Sequence, residues 1–108
     1  MNRLKDNEEY LTCRYDTRQS FYGKAKVETN EHKGLHGHTR LLNLISYDTL
    51  VAKVYYSEID NKKKVEYLCM GKYSQTTTRH QKEFFKQNGL NDKEIKELFD
   101  KGELIKND

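Results

Sequence analysis

The chain has 108 residues, of which 34% are apolar and 34% charged, with 20 Lys and Arg against 17 Asp and Glu for a formal net charge of +3. That length suits one domain with one core, residues 1–108, and the low apolar share makes the eight Tyr and four Phe the main source of buried area. The charge balance excludes an acidic mimic of nucleic acid, whose surface needs a large negative excess, and no apolar run reaches the ~18 residues of a membrane span.

In chain order, "MNRLKDNEEY" lacks the apolar segment of a secretory signal, so a cytoplasmic protein that meets no membrane is expected. In such a reducing compartment Cys13 and Cys69, without CxxC spacing, read as small buried hydrophobes and not as a disulfide. From Ser20 the run "SFYGKAKVE" alternates, Phe21, Gly23, Ala25 and Val27 against Tyr22, Lys24, Lys26 and Glu28, which predicts a half-buried strand. Tyr10 to Tyr15 is its expected hairpin partner, with "DTRQS" as the turn. "TNEHKGLHGHT" shows no period and two glycines, and predicts a loop of about ten residues.

Leu42 and Leu44 then mark one strand, and Leu50, Ala52, Val54 and Tyr56 the inner face of the next, leaving Val51, Lys53 and Tyr55 outside. A tight turn at Tyr47-Asp48 joins them. "IDNKKK" is the return turn, and "VEYLCM" the following strand. After Met70 the period becomes helical: Thr76 or Thr77 caps a first helix whose inner face carries Gln81, Phe84, Phe85 and Asn88, and Asn88-Gly89-Leu90 predicts a Schellman end. Asn91 with Glu94 predicts a capping box for a second helix with a stripe of Ile95, Leu98 and Phe99, closed by Gly102. The expected fold is α+β: an antiparallel sheet of about four to five strands followed by a carboxy-terminal helical hairpin.

Three patches carry candidate chemistry. In "YSQTTTRHQKEFF", Tyr73, Thr76, Thr77, Arg79 and His80 sit at a helix start, where free amides and a hydroxyl cluster would suit an anion or a partner, or serve only as a cap. Tyr22, Lys24, Lys26, Lys53 and Tyr55 interleave bases with aromatics on strands, a pattern that fits stacking and phosphate contact with single-stranded nucleic acid as well as a solvated face. His32, His36 and His38 lie among glycines that break metal-ligand spacing, so neither metal nor cofactor is expected. No nucleophile elbow, phosphate-binding loop, zinc-protease or dinucleotide motif occurs, which disfavours an enzyme. A strand such as Tyr10 to Tyr15, if exposed, would also allow a homodimer by pairing across a two-fold axis.

Two stretches together carry a resemblance: Leu42, Ser46, Tyr47, Thr49, Val51 and Ala52, then Tyr73, Ser74, Thr76, Thr77, Arg79, His80 and Phe84. With "YGKAKV", over residues 20 to 88, the chain resembles a group of small phage and plasmid proteins of Gram-positive bacteria. The resemblance implies a non-enzymatic binding protein of a mobile element, of the kind that disables a host protein complex. Inhibitors of Cas9-type effectors, which act on the effector or its guide RNA loading, are the best-known class. The alternative expectation is a nucleic-acid-binding accessory protein using the basic-aromatic sheet face.

Overall fold

The computed structural model describes residues 4–16, 21 and 23–107. Tyr22 and most of the expected "DTRQS" turn lie outside the described residues. Among the described residues the chain forms six strands and two helices: β1 Glu8–Tyr10, β2 Ala25–Lys33, β3 Gly37–Ser46, β4 Thr49–Ile59, β5 Lys62–Cys69, α1 Gln75–Gln87, α2 Asp92–Lys101 and β6 Glu103–Asn107. The strands make one antiparallel sheet in the order β1-β2-β3-β4-β5-β6, so each strand lies beside its neighbour in sequence.

Tight turns set the register. Tyr47 and Asp48, with φ of 48° and 68°, join β3 to β4, and Asp60 and Asn61, with φ of 52° and 66°, join β4 to β5. Paired positive φ values match the right-handed strand twist. The second turn is therefore two residues long, and Lys62 to Lys64, expected within it, open β5.

The ten-residue loop expected after Val27 is also largely strand. The β2–β3 ladder runs on to Lys33 opposite His38, and Gly34, Leu35 and His36 alone form the bend, closed by the Gly34 amide on the Gly37 carbonyl at 2.8 Å. These residues are mostly exposed, so no apolar alternation marks them. The neighbouring strand β4 supplies the hydrogen bonds that keep β3 extended there.

A bulge in β4 changes the predicted facing. Leu44 pairs with Ala52 while Ile45 pairs with Leu50, which leaves Val51 as an extra residue. Val51 and Ala52 are both fully buried, and Leu50 goes to the opposite face with Ile45, the reverse of the expectation for Leu50 and Val51. From Ala52 onward the predicted parity holds.

Both helices lie on one face of the sheet. Phe84, Phe85, Ile95 and Leu98 pack over Val27, Leu44, Val51, Ala52, Val54 and Tyr67. The start of α1 is capped by Ser74, whose hydroxyl accepts from the Thr77 amide at 3.2 Å, and not by Thr76 or Thr77. Its end is the expected Schellman turn, with the Leu90 amide on the Phe85 carbonyl and the Gly89 amide on that of Lys86, each at 3.1 Å. Asn91 and Glu94 form the expected capping box of α2. Gly102, at φ 85°, then turns the chain back into β6, a strand the sequence reading lacks, which sets Leu104 opposite Tyr67.

At the other edge the pairing partner of β2 is the three-residue β1. After Leu11, whose amide reaches the Ala25 carbonyl at 3.0 Å, residues 12–16 are not in strand conformation, so the long Tyr10 to Tyr15 strand expected here is absent. Among the described residues no helix is long and apolar enough to cross a membrane.

Gly37 has no room for a side chain. A Cβ there would stand against the Glu58 carbonyl oxygen and within 3.0 Å of Ile59 Cα, whereas one at Gly34 would meet nothing nearer than the movable His32 ring at 3.6 Å. Thermal melts should show Gly37→Ala destabilised by about 1–3 kcal/mol, as overpacking against backbone costs, and Gly34→Ala little changed.

Candidate functional site

The hydroxyl-rich start of α1 points mostly inward. Thr77 and His80 face Ser46 at the end of β3: the Ser46 hydroxyl lies 2.8 Å from His80 Nδ1 and 3.0 Å from Thr77 Oγ1. All three are buried, with His80 fully enclosed beside the Phe21 ring, edge-on at 4.7 Å, and the Tyr47 ring at 5.9 Å. Burial, helped by the Arg79 charge and opposed by Asp16, holds the His80 pKa below its usual value. A serine hydroxyl on an imidazole is the start of a nucleophile-base pair. Here His80 Nε2 has no partner among the described residues to orient the ring, and the pair is closed to solvent. The next residue, Gln81, donates to the Val51 carbonyl at 2.9 Å and to that of Gly71 at 3.2 Å.

Arg79 and Glu83 hold the amino-terminal segment. Arg79 makes a bidentate pair with Asp16, at 3.0 and 3.2 Å, with its guanidinium 5.3 Å from the Phe21 ring centre. The buried Glu83 accepts from the backbone amides of Arg14, Tyr15 and Asp16 at 3.2, 2.8 and 2.8 Å, and its other oxygen accepts from Gln87 at 2.6 Å. Three converging amides form a concave anion seat of the type proteins use for phosphate. In this chain its own carboxylate fills that seat. Thus Thr77, Arg79 and His80 serve internal contacts, while Tyr73 and Thr76 remain at least partly accessible.

The far face of the sheet carries no helix. Cross-strand pairing sets Leu41, Tyr55, Glu66 and Ile105 in one row and Glu28, Asn43, Lys53, Leu68 and Glu103 in the next. Ile45 and Leu50 form a third pair beside Lys26 and Tyr10. Leu68 is 37% and Ile105 45% exposed, high values for large apolar side chains. Lys24, Lys26, Lys53, Lys62 and Lys64 are interspersed with Glu8, Glu28, Glu66 and Glu103 on or beside this face; Lys26 pairs with Glu8 and Lys64 with Glu66, each at 3.1 Å. At the β1 corner a cleft of about 240 Å³ lies between Tyr10, Ile45 and Tyr47, with Lys24, Lys26 and Asp48 around it.

The structure therefore brings Lys24, Lys26, Lys53 and Tyr55 to the open face and puts Tyr73 and Thr76 with the helices on the other side. Sequence reasoning missed Leu41, Ile45, Leu50, Leu68 and Ile105, whose common face follows only from the register, and Glu83, whose one available signal was a carboxylate in the middle of an apolar helix face. The three histidines do not converge: His38 meets Glu31 at 3.4 Å and His36 meets Asp60 at 4.0 Å. Among the described residues no three His, Cys, Asp or Glu side chains cluster as a metal requires. Cys13 and Cys69 are half-buried free thiols, both pushed up in pKa by burial.

A six-stranded antiparallel sheet covered on one face by a helical hairpin inserted before its last strand, with its polar motif turned inward, is the class of protein that this geometry defines. The chain belongs to a family of unknown function, DUF8033, whose model matches residues 10–101. That span takes in both helices and all of the sheet but β6 and the first two residues of β1. No curated protein and no solved structure matches the chain.

The depressed His80 pKa sets a pH dependence. The unfolded chain takes up a proton on this histidine near pH 6.5 while the fold resists it, so the unfolded state binds more protons below that pH. Stability from this group is fully present above about pH 6.5 and is lost as pH falls toward the lower folded-state value. Melts from pH 7.5 to 5 should show a decline that is shallower in His80→Gln; an equal slope would place the titrating group elsewhere.

Proposed function

We propose that this chain is a non-enzymatic binding protein that occupies a protein partner with the open face of its sheet. The observation that carries the reading is the apolar pairs Leu41 with Tyr55 and Ile45 with Leu50, together with the exposed Leu68 and Ile105, set among charges of both signs on a face that no helix covers. Exposed contiguous apolar surface marks an interaction site, and aromatic and aliphatic anchors with few uncompensated charges are what a protein interface core uses.

The same charges weigh against the nucleic-acid reading. A polyphosphate chain needs several uncompensated cations, whereas Lys26 and Lys64 are engaged by Glu8 and Glu66 and flanked by further glutamates. The cleft between Tyr10 and Tyr47 is the strongest feature in favour of a stacked base. The resemblance to small proteins of mobile elements supports a host defence complex as the partner, with a Cas9-type effector the first to test.

Purified protein should co-elute with such an effector, loaded or unloaded with guide RNA, after nuclease treatment and at raised salt. Leu68→Glu and Ile105→Glu should weaken that complex by at least about tenfold, or ~1.4 kcal/mol, with little change in melting temperature because both side chains are exposed. Binding only to nucleic acid, with an affinity that collapses as salt rises, would overturn the protein-interface reading in favour of the accessory role.

A further inference from the structure

The geometry also points to a second docking site, the groove between α1 and α2, which we propose receives an acidic amphipathic helix from a protein partner. It lies on the opposite side of the molecule from the open sheet face and does not depend on the reading above.

The groove has a volume of about 520 Å³ and is open to solvent. Its apolar lining comes from Tyr73, Ile95 and Phe99, of which Tyr73 is 41% exposed, Phe99 half-buried and edge-on to Phe85 at 6.3 Å, and Ile95 buried. Apolar side chains between two helices are the seat into which an amphipathic helix lays anchors spaced three or four residues apart. The ten residues of α2 span about 15 Å, which matches about three turns of a bound helix.

Charge selects the occupant. Lys72, Lys82 and Lys96 line the groove, and none has a carboxylate within ion-pair distance among the described residues. Of the two acids there, Asp92 is already paired with Lys86 at 3.0 Å, leaving Asp100. Three uncommitted cations against one such anion favour a ligand whose flanks are Asp and Glu. A continuous phosphate backbone fits less well, because the lining is apolar and the two aspartates interrupt the basic rim.

The probe is a fluorescein-labelled 14-residue peptide of Glu, Asp and Ala with Leu and Phe four residues apart, titrated into the full chain and followed by anisotropy and amide chemical shifts. Binding in the micromolar range is expected, with shifts at Tyr73, Ile95 and Phe99. Replacing both anchors by Ala, or making Lys82→Glu with Lys96→Glu, should each raise Kd at least about tenfold, while Leu68→Glu on the open face leaves it unchanged. Melting curves of the lysine variants, whose sites are exposed, verify that the fold is retained. The proposal is overturned if the peptide does not bind, if the anchor-free peptide binds equally, or if the lysine variants bind as the parent does. Loss of binding in Leu68→Glu would put the peptide on the sheet, and a self-associated chain that the peptide cannot dissociate would make a second copy the occupant; either result also overturns it.

Discussion

The extra residue in β4 is the constraint on which the rest of the structure depends. By pushing Val51 out of the regular ladder, the bulge sets its carbonyl to accept from the Gln81 side chain and from the Met70 amide, at 2.9 and 3.1 Å. A buried carbonyl without a partner costs about 1–3 kcal/mol, so these two bonds tie α1 and the end of β5 to one point of the sheet. Ser46, across the hairpin and a few residues away, meets Thr77 and His80 on the same helix. The helix is thereby located by polar bonds in addition to packing. Non-directional apolar contacts alone would leave its rotation over the sheet less defined.

Seen from this anchor, the polar run that leads into α1 is a packing device. Ser74 caps the helix, Thr77 and His80 face the sheet, Gln81 takes the bulge, and Arg79 and Glu83 hold residues 14–16 from the outer side. Burying a carboxylate is costly unless it is hydrogen-bonded, and Glu83 meets that cost with three backbone amides and Gln87. The segment after β1 thereby becomes part of the core's rim, which is how Leu11 and Phe21 come to be buried.

One-sided layering explains where the accessible surface chemistry lies. Two short helices cover one face of a six-stranded sheet, so the alternate side chains of every strand are left without a layer. The apolar members of that set, Leu68 and Ile105 among them, therefore stand exposed. On the helix side, the space between α1 and α2 leaves Tyr73 exposed and Phe99 half-buried, with lysines around them.

The sequence by itself determined the elements whose signals are local. Strand alternation over Ala25 to Glu28, the Tyr47-Asp48 turn, the Schellman end at Gly89 and the Asn91–Glu94 capping box each depend on residues within a few positions of one another, whereas the strand expected from Ser20 begins only at Ala25, because Gly23 at φ 70° and the Lys24 amide on the Phe21 carbonyl make a turn there. The α+β layout followed from their order. Only the tertiary structure decided what depends on distant partners. The extended backbone of Thr29 to Lys33 and of β6 is supplied by neighbouring strands, because neither has an apolar period of its own strong enough to announce it. The facing of Leu50 and Val51 was decided by a bulge that local pattern does not encode. The roles of Thr77, Arg79 and His80 were decided in the same way: a hydroxyl, a guanidinium or an imidazole suits an anion or a neighbouring side chain equally well, and Ser46 and Asp16, 31 and 63 positions away in the chain from Thr77 and Arg79, claimed them.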